Sequence, residues 1–480
     1  MNKTTNHTNN DRRAVMFTII STAFVSTFAA SSLNIAIPII GQEFHSPATH
    51  LSWIITTYFL FTVSLSVPFG RLADITGKRR IFILGILIFG VMSGVSVIST
   101  SLSMVILFRA LQGVGAAMIF ATNTAILADV FPPKTRGRML GISVAFTYIG
   151  LSAGPVIGGI ITHHIGWRYT FVLSCIVSLI GFAIASAKLP KSLAAAHGDN
   201  HENIGESGDK KSERLLKRMD PVGIALYVAS TVVLMYGLTI FTQNILSYIL
   251  TGAGIALLMV FIRFERKADK PIIEIRLFKN INFLLSNLAA LFNYGATFAL
   301  SYLLSIYLQM VKGYGADISG LILITQPIVQ AAISPMAGRL SDRYSPYRIA
   351  SIGMGGCAAS LLLFIFMDAD TPMWRILINL AVVGVGVALF SSPNTNAIMS
   401  GVLPRDYGVA SSLTSTMRTV GQIISMAIIT IIVNAVLGQT PIDEAGHREL
   451  VSSMHMGFIV FACICAVGVF ISLQRKPGSK

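Results

Sequence analysis

Two short charged phrases in this chain share both residue types and spacing: GRLADITGKRR at 70–80 and GRLSDRYSPYR at 338–348. They agree at Gly70/Gly338, Arg71/Arg339, Leu72/Leu340, Asp74/Asp342 and Arg80/Arg348. An acid bracketed by two bases offers a breakable electrostatic contact. Each Asp can pair with its arginines, or sit at a neighbouring helix N-terminus, where the dipole favours an anion. The glycine lets the chain leave a helix on a short loop and lets another backbone come close. Two such clusters in register would latch one face of a protein in one conformation and release it in another. Covalent chemistry has no comparable support. No clustered set of acids, His or Cys with metal-ligand spacing is visible, so no metal site and no enzyme is expected. No G-x-x-x-x-G-K-[ST] loop exists to hold a nucleotide, and no cofactor is expected.

The elements that carry these phrases are apolar. Of 480 residues, 53% are hydrophobic and 12% charged, where soluble domains run near 25% charged. Runs of about 20 apolar residues, the length that crosses a bilayer as a helix, recur throughout. The reading is an all-α polytopic membrane protein with fourteen transmembrane helices, at 14–40, 51–70, 80–100, 103–128, 138–162, 167–187, 221–242, 245–264, 282–309, 317–338, 348–367, 372–395, 407–437 and 453–474. A transmembrane barrel would instead alternate polar and apolar residues over short strands.

Charge orients the chain. With both termini on one side, 30 of the 36 Lys and Arg fall in segments on that side and 4 on the other, with Arg109 and Arg418 inside helices. By the positive-inside rule that side is cytoplasmic. The net charge of +15 therefore faces the anionic inner leaflet, and nucleic acid is not an expected partner. Cys175, Cys357, Cys463 and Cys465 all fall within helices and read as small packing residues. The polar N-terminus and the uninterrupted first apolar run do not look like a cleaved signal peptide.

The segment 188–220 is polar, mixed in charge and poor in aromatics, and divides the chain. The expected organisation is a six-helix half at 1–187, that linker, two inserted helices at 221–264, a cytoplasmic connector at 265–281 and a second six-helix half at 282–480. The repeated phrases then end the second helix of each half. Two parallel halves related by an axis along the membrane normal are a transporter design, with the substrate site between them.

Polar groups inside the helices are the remaining candidates. Arg109, with Gln112 one turn on, is a costly buried cation that needs partners, and Arg418 with Gln422 is an analogous pair. Gly150, Gly154 and Gly158 line one face of the fifth helix; with Gly159 they permit close packing, and Pro155 bends the helix. Asn34, Tyr58, Asn123, Asn293, Gln326, Gln330 and Asn394 are candidates for a central cavity, or for plain interhelical hydrogen bonds.

The two charged phrases resemble the loop signature of the major facilitator superfamily. FRALQGVGAAMIFATNTAILADVFPPKTRGRMLGI (108–142), GLSAGPVIGGIITHHIGWRYTFVLS (150–174) and GVALFSSPNTNAIMSGVLPRDYGVASSLTSTMRTVGQ (386–422) are similar to the fourth-helix, fifth-helix and late segments of its fourteen-helix drug:proton antiporters. That resemblance implies a secondary exporter of amphiphilic, drug-like or lipid-like compounds, working as a monomer in a bacterial-type cell membrane by proton antiport. It places Arg109 in a central or proton-handling network and makes the bent fifth helix a mark of exporters. The alternatives are an exporter or facilitator of neutral or anionic substrates not coupled to protons, and a nutrient importer of the same fold. One departure bears on this choice: Ala29 stands where such antiporters commonly carry an Asp, and every acid of the chain falls in a loop or at a helix end.

Overall fold

The computed structural model describes residues 9–45, 53–190, 193, 220–239, 245–268, 271–273, 276–437 and 447–475. These contain no strand and fourteen helices long and apolar enough to cross a membrane. We number them α1 (Asn9–Phe44), α2 (Trp53–Thr76), α3 (Lys78–Ser96), α4 (Leu102–Val130), α5 (Pro133–His164), α6 (Arg168–Lys188), α7 (Pro221–Thr239) and α8 (Ile245–Glu265). After a short turn at Arg276–Lys279 come α9 (Ile281–Val311), α10 (Ile318–Arg343), α11 (Pro346–Phe364), α12 (Met373–Ser400), α13 (Tyr407–Leu437) and α14 (His447–Leu473).

Local chemistry sets several of these ends. The Ser101 hydroxyl accepts the Met104 N–H at the start of α4. Asp220 accepts from Val222 and Gly223 at α7, and Asn280 from Asn282 and Phe283 at α9; each side chain satisfies helix donors left without an intrahelical partner. Pro346 opens α11, where its missing N–H costs nothing. α2 and α3 are separated by Gly77 alone, at φ 101°, a left-handed conformation that glycine adopts without penalty. α9 is interrupted after Thr297, and the Ala299 N–H freed by the break is taken by Ser425 of α13.

The helix contacts repeat. In the first half α1 packs on α5 and α6, α3 on α4 and α6, and α2 on α4. In the second, α9 packs on α13 and α14, α11 on α12 and α14, and α10 on α12. Glycines make these approaches close. A methyl group on Gly115 would meet the Phe89 nitrogen at 2.6 Å and the Gly85 oxygen at 2.8 Å; one on Gly353 would meet the Phe390 nitrogen at 2.5 Å and the Gly386 oxygen at 2.6 Å. The halves meet along two related seams, α2 against α13 and α5 against α10. The inserted pair α7–α8 lies against the first seam through α7, where Tyr227 and Phe261 join a core with Val67, Tyr407 and Leu413.

Far from the repeated phrases, a clamp closes the first half. Glu43 accepts from Arg168 at 2.6 and 2.9 Å and from the Trp167 indole at 2.7 Å, and Arg168 also holds the Ser99 carbonyl. Arg168 and, less strongly, Trp167 hold the Glu43 carboxyl below the usual carboxylate range, against the opposing effect of partial burial. A carboxylate lowered on folding stabilises above its unfolded pKa and loses that contribution as pH falls through the folded value. Glu43→Gln is therefore expected to lower the melting temperature in detergent at pH 7, with the gap to wild type closing below roughly pH 4. A gap that persists at low pH would assign the effect to packing.

Candidate functional site

Only Gly77 of the first phrase and Tyr344 and Ser345 of the second lie outside helices, which corrects the expected short loops. α2 continues to Thr76 and α10 to Arg343, so Gly70 and Gly338 sit inside helices and Asp74 and Asp342 in their last turns. The glycines serve close approach, not chain exit. A methyl on Gly70 would lie 2.6 Å from the Gly408 oxygen, and Gly338 and Gly137 touch backbone to backbone in the same way.

Of the two settings open for each Asp, Asp74 takes a helix N-terminus, while Asp342 meets backbone N–H groups one turn inside a helix and has Arg136 within electrostatic reach. Asp74 accepts from the backbone N–H of Gly408 at 2.9 Å and of Val409 at 3.0 Å, at the start of α13. Asp342 accepts from Gly137 at 2.6 Å and Arg138 at 2.9 Å, near the start of α5. Each half thus supplies the anion for a helix of the other half. Of the bracketing arginines, Arg80, Arg339 and Arg348 are exposed, while Arg71 lies within electrostatic reach of Glu265 on the inserted pair.

The first seam carries additional charge. Lys78 pairs with Asp129 at 2.5 Å, donates to the Pro404 carbonyl at 3.1 Å, and stands 5.1 Å from the Tyr407 ring centre. Arg136 approaches the same ring at 5.6 Å. Neither Lys78 nor Arg136 was among the sequence candidates. The signal was present: Lys78 lies inside the first phrase, where the second copy has Pro346.

Arg109 and Gln112 are buried inside the first half. Arg109 donates to the carbonyls of Ile54 (3.0 Å) and Ala29 (3.4 Å) and to Gln112 Oε1 (2.5 Å), and lies 4.2 Å from the Tyr58 ring centre. Gln112 continues the chain to Ser93 at 2.6 Å. Neither residue lines the cavity described below, so the expected central network divides: this part ties α1, α2, α3 and α4 together. Tyr58 belongs to it, with its hydroxyl on the Ser26 carbonyl. Ala29 meets Arg109 with a backbone oxygen, and Arg109 Nη2 is buried without a partner.

A cavity, partly open to solvent, lies between the halves. Phe120, Asn123 and Thr124 of α4 and Ser143, Thr147 and Tyr148 of α5 form one wall; Tyr294 of α9, Ser391, Asn394 and Thr395 of α12 and Ser411, Ser415 and Arg418 of α13 form the other. At 1.5 Å per helical residue it spans roughly 6–22 Å from the face that carries the two seams. One helical turn separates Gly408 from Ser411, and Gly137 from Leu140, so the seams form its floor. Arg418 lies 5.6 Å from the Phe120 ring centre and is the one charged side chain among the described lining residues.

Of the sequence candidates, Asn123, Asn394 and Arg418 reach this cavity. Tyr58 and Asn293 are buried within their own halves, Gln330 is buried against Tyr148 of α5 across the second seam, and Gln326 and Gln422, both half-buried, are not in the cavity lining. The Asn34 and Pro155 side chains lie outside the described residues. Gly150, Gly154 and Gly158 contact Phe24, Ser31 and Ser32 of α1, as close packing requires; Gly159 is half-buried, and the helix assignment continues through 155.

Two pseudo-symmetric helical halves around a polar cavity are the design of a membrane transporter. The sequence profile of the Major Facilitator Superfamily matches residues 19–426 and 286–480, and the chain belongs to that superfamily. It is 28% identical over 459 residues to the riboflavin transporter RibZ of Clostridioides difficile, with 96% of each chain covered. It is 26% identical to the multidrug resistance protein Stp of Mycobacterium tuberculosis, covering 89% of this chain and 78% of that one. Among solved structures, the proton:xylose symporter XylE aligns with a TM-score of 0.68 at 11% identity, over 98% of this chain and 97% of the other. The human organic anion transporter MFSD10 aligns with a TM-score of 0.65 at 13% identity, over 96% and 99%. These two likenesses concern the fold alone.

Removing either seam carboxylate should loosen the floor. A helix-capping contact is worth about 1 kcal/mol, which corresponds to a roughly fivefold change in the closed-to-open ratio. Asp74→Ala and Asp342→Ala should each speed maleimide labelling of a cysteine at position 411 from the seam face by about that factor, with the four native cysteines replaced. Unchanged labelling in both variants would refute the latch.

Proposed function

We propose that the chain is a secondary exporter that moves amphiphilic compounds with neutral or anionic, oxygen-rich head groups by alternating access. The observation that carries this reading is the charge of the cavity wall: a cation at Arg418, many hydroxyls and aromatic faces, and no carboxylate among the described lining residues. A buried carboxylate would be the natural counter-charge for a cationic drug; a guanidinium favours carboxylate and carbonyl oxygens instead. The aromatic and polar mixture suits a bulky amphiphile.

The seam face is cytoplasmic in this reading, supported by the 30-to-4 distribution of Lys and Arg. With both seams formed, the cavity would communicate with the opposite side of the membrane, and breaking the carboxylate contacts would open it to the cytoplasm. Proton antiport is the proposed energy source, with Asp74 and Asp342 as the carboxylates at the moving boundary. The relatives named as multidrug resistance proteins support export. A second reading, transport of an uncharged flavin-like compound, is favoured by the relative named as a riboflavin transporter and by the hydroxyl-rich wall.

Fluorescein and rhodamine 123 share a xanthene frame and differ in charge. In proteoliposomes under an imposed pH gradient, fluorescein should move faster than rhodamine 123 and carry a countercurrent of protons seen by an internal pH dye. Arg418→Gln should cut fluorescein flux roughly tenfold, the size of a lost charge-assisted hydrogen bond. Preference for the cationic dye would sink the substrate assignment, and flux indifferent to the gradient would sink proton coupling.

A further inference from the structure

Arg475 lies two residues beyond α14, outside the membrane-spanning helices, yet it is buried. Its Nη1 donates to Asn394 Oδ1 at 2.6 Å and to Ser286 Oγ at 3.2 Å, and its Nε to the Ser472 carbonyl at 2.9 Å. Its Nη2 contacts the Ser472 hydroxyl and donates to the Tyr347 carbonyl at 3.4 Å, and the guanidinium stands 5.5 Å from the Tyr347 ring centre. Burial pushes its pKa down to about 10, well above neutrality, so the group stays cationic. The corresponding place in the first half is built differently. There Arg79 of α3 donates to the Ser186 and Leu189 carbonyls at the end of α6 and goes no further. The second half has Tyr347 at the matching position of its phrase, and its cation comes from the far end of the chain and reaches a cavity residue.

That reach has a chemical consequence. A guanidinium is a donor only, so the oxygen of the Asn394 amide must face Arg475 and its nitrogen must face away. One N–H of that nitrogen goes to the Ser286 carbonyl at 3.1 Å. The other is what Asn394 can offer to the cavity it lines. Among the described residues no cation fixes the amide of Asn123 on the opposite wall, and its Oδ1 is buried without a partner. We propose that Arg475 is a positioning residue that locks Asn394 as a hydrogen-bond donor, so that the second-half wall of the cavity selects substrates presenting an acceptor oxygen there. This rests on the substrate reading above and deepens it: the preferred ligand carries acceptors for both Arg418 and Asn394.

The test is the ratio of KM values for fluorescein and rhodamine 123 in proteoliposomes of the full chain. With Arg475→Ala, only the Ser286 carbonyl still orients the Asn394 amide, and its oxygen can turn inward. The KM for fluorescein should rise about fivefold, the size of one hydrogen bond, while that for rhodamine 123 stays or falls. Arg475→Lys, which keeps a donor on Oδ1, should recover most of the preference. Asn394→Asp, which leaves a partner for Arg475 and presents only acceptors, should shift the ratio the same way as Arg475→Ala, and serves if that variant folds poorly. A purely structural role predicts lower melting temperature and lower kcat for both dyes with an unchanged KM ratio; an unchanged ratio in Arg475→Ala and in Asn394→Asp overturns the proposal alone. A wild-type protein that prefers rhodamine 123 overturns both this inference and the substrate reading.

Discussion

A carboxylate that accepts two successive backbone N–H groups of a helix in the other half is the contact on which this structure turns. Asp74 does this at α13 and Asp342 at α5. Each contact is a pair of hydrogen bonds to an anion, and at Asp74 the positive end of a helix dipole adds to them. Both need bare backbone: Gly70 against Gly408, and Gly338 against Gly137, leave no space for a side chain. Such a contact is either made or lost, because a helix withdrawn by a few ångströms loses both hydrogen bonds together. A boundary of this kind suits two rigid halves that exchange between two arrangements.

The rest of the molecule serves that boundary. Within each half, glycine contacts and buried hydrogen bonds, such as the Arg109–Gln112–Ser93 chain, bind the helices into a unit that can move as one. A guanidinium buried there costs several kcal/mol of desolvation. Its bonds to the Ile54 and Ala29 carbonyls and the face of Tyr58 offset part of that. The two seams are not equal. The α2–α13 seam has Lys78, Asp129 and Arg136 gathered around Tyr407, together with the inserted α7–α8 pair. At α5–α10 Arg136 is also within electrostatic reach of Asp342, but no inserted helix pair lies there among the described residues. The superfamily's symmetry thus sets the hinge-like frame, and its breakage gives each seam a separate character.

The cavity follows from the same arrangement. Its floor is one helical turn from the seam glycines, so a change at the floor reaches the wall through α5 and α13 directly. Arg418 is the one charge of the described lining, and the proposed preference for acceptor-rich ligands rests on it. The Arg475–Asn394 contact adds a polarity that the bare list of lining residues does not reveal.

Much of this was legible in the sequence, and the reason is physical. Crossing a bilayer requires about 20 apolar residues in a helix, so the fourteen spans could be read directly, with ends off by a few residues. The duplicated phrase pointed to two halves, because duplication preserves residue types at fixed spacing. That each Asp could serve a helix N-terminus was also readable. Which helix it would serve was not, since the partner lies in the other half and no local pattern encodes it. The sequence likewise named polar residues without dividing them. Lipid and protein interior are both apolar, so a membrane helix shows little of the polar–apolar contrast that marks the inner face of a soluble one. Only packing decided that Arg109 and Tyr58 close a bundle while Arg418 meets the cavity, and that Arg475, at the chain's end, reaches Asn394.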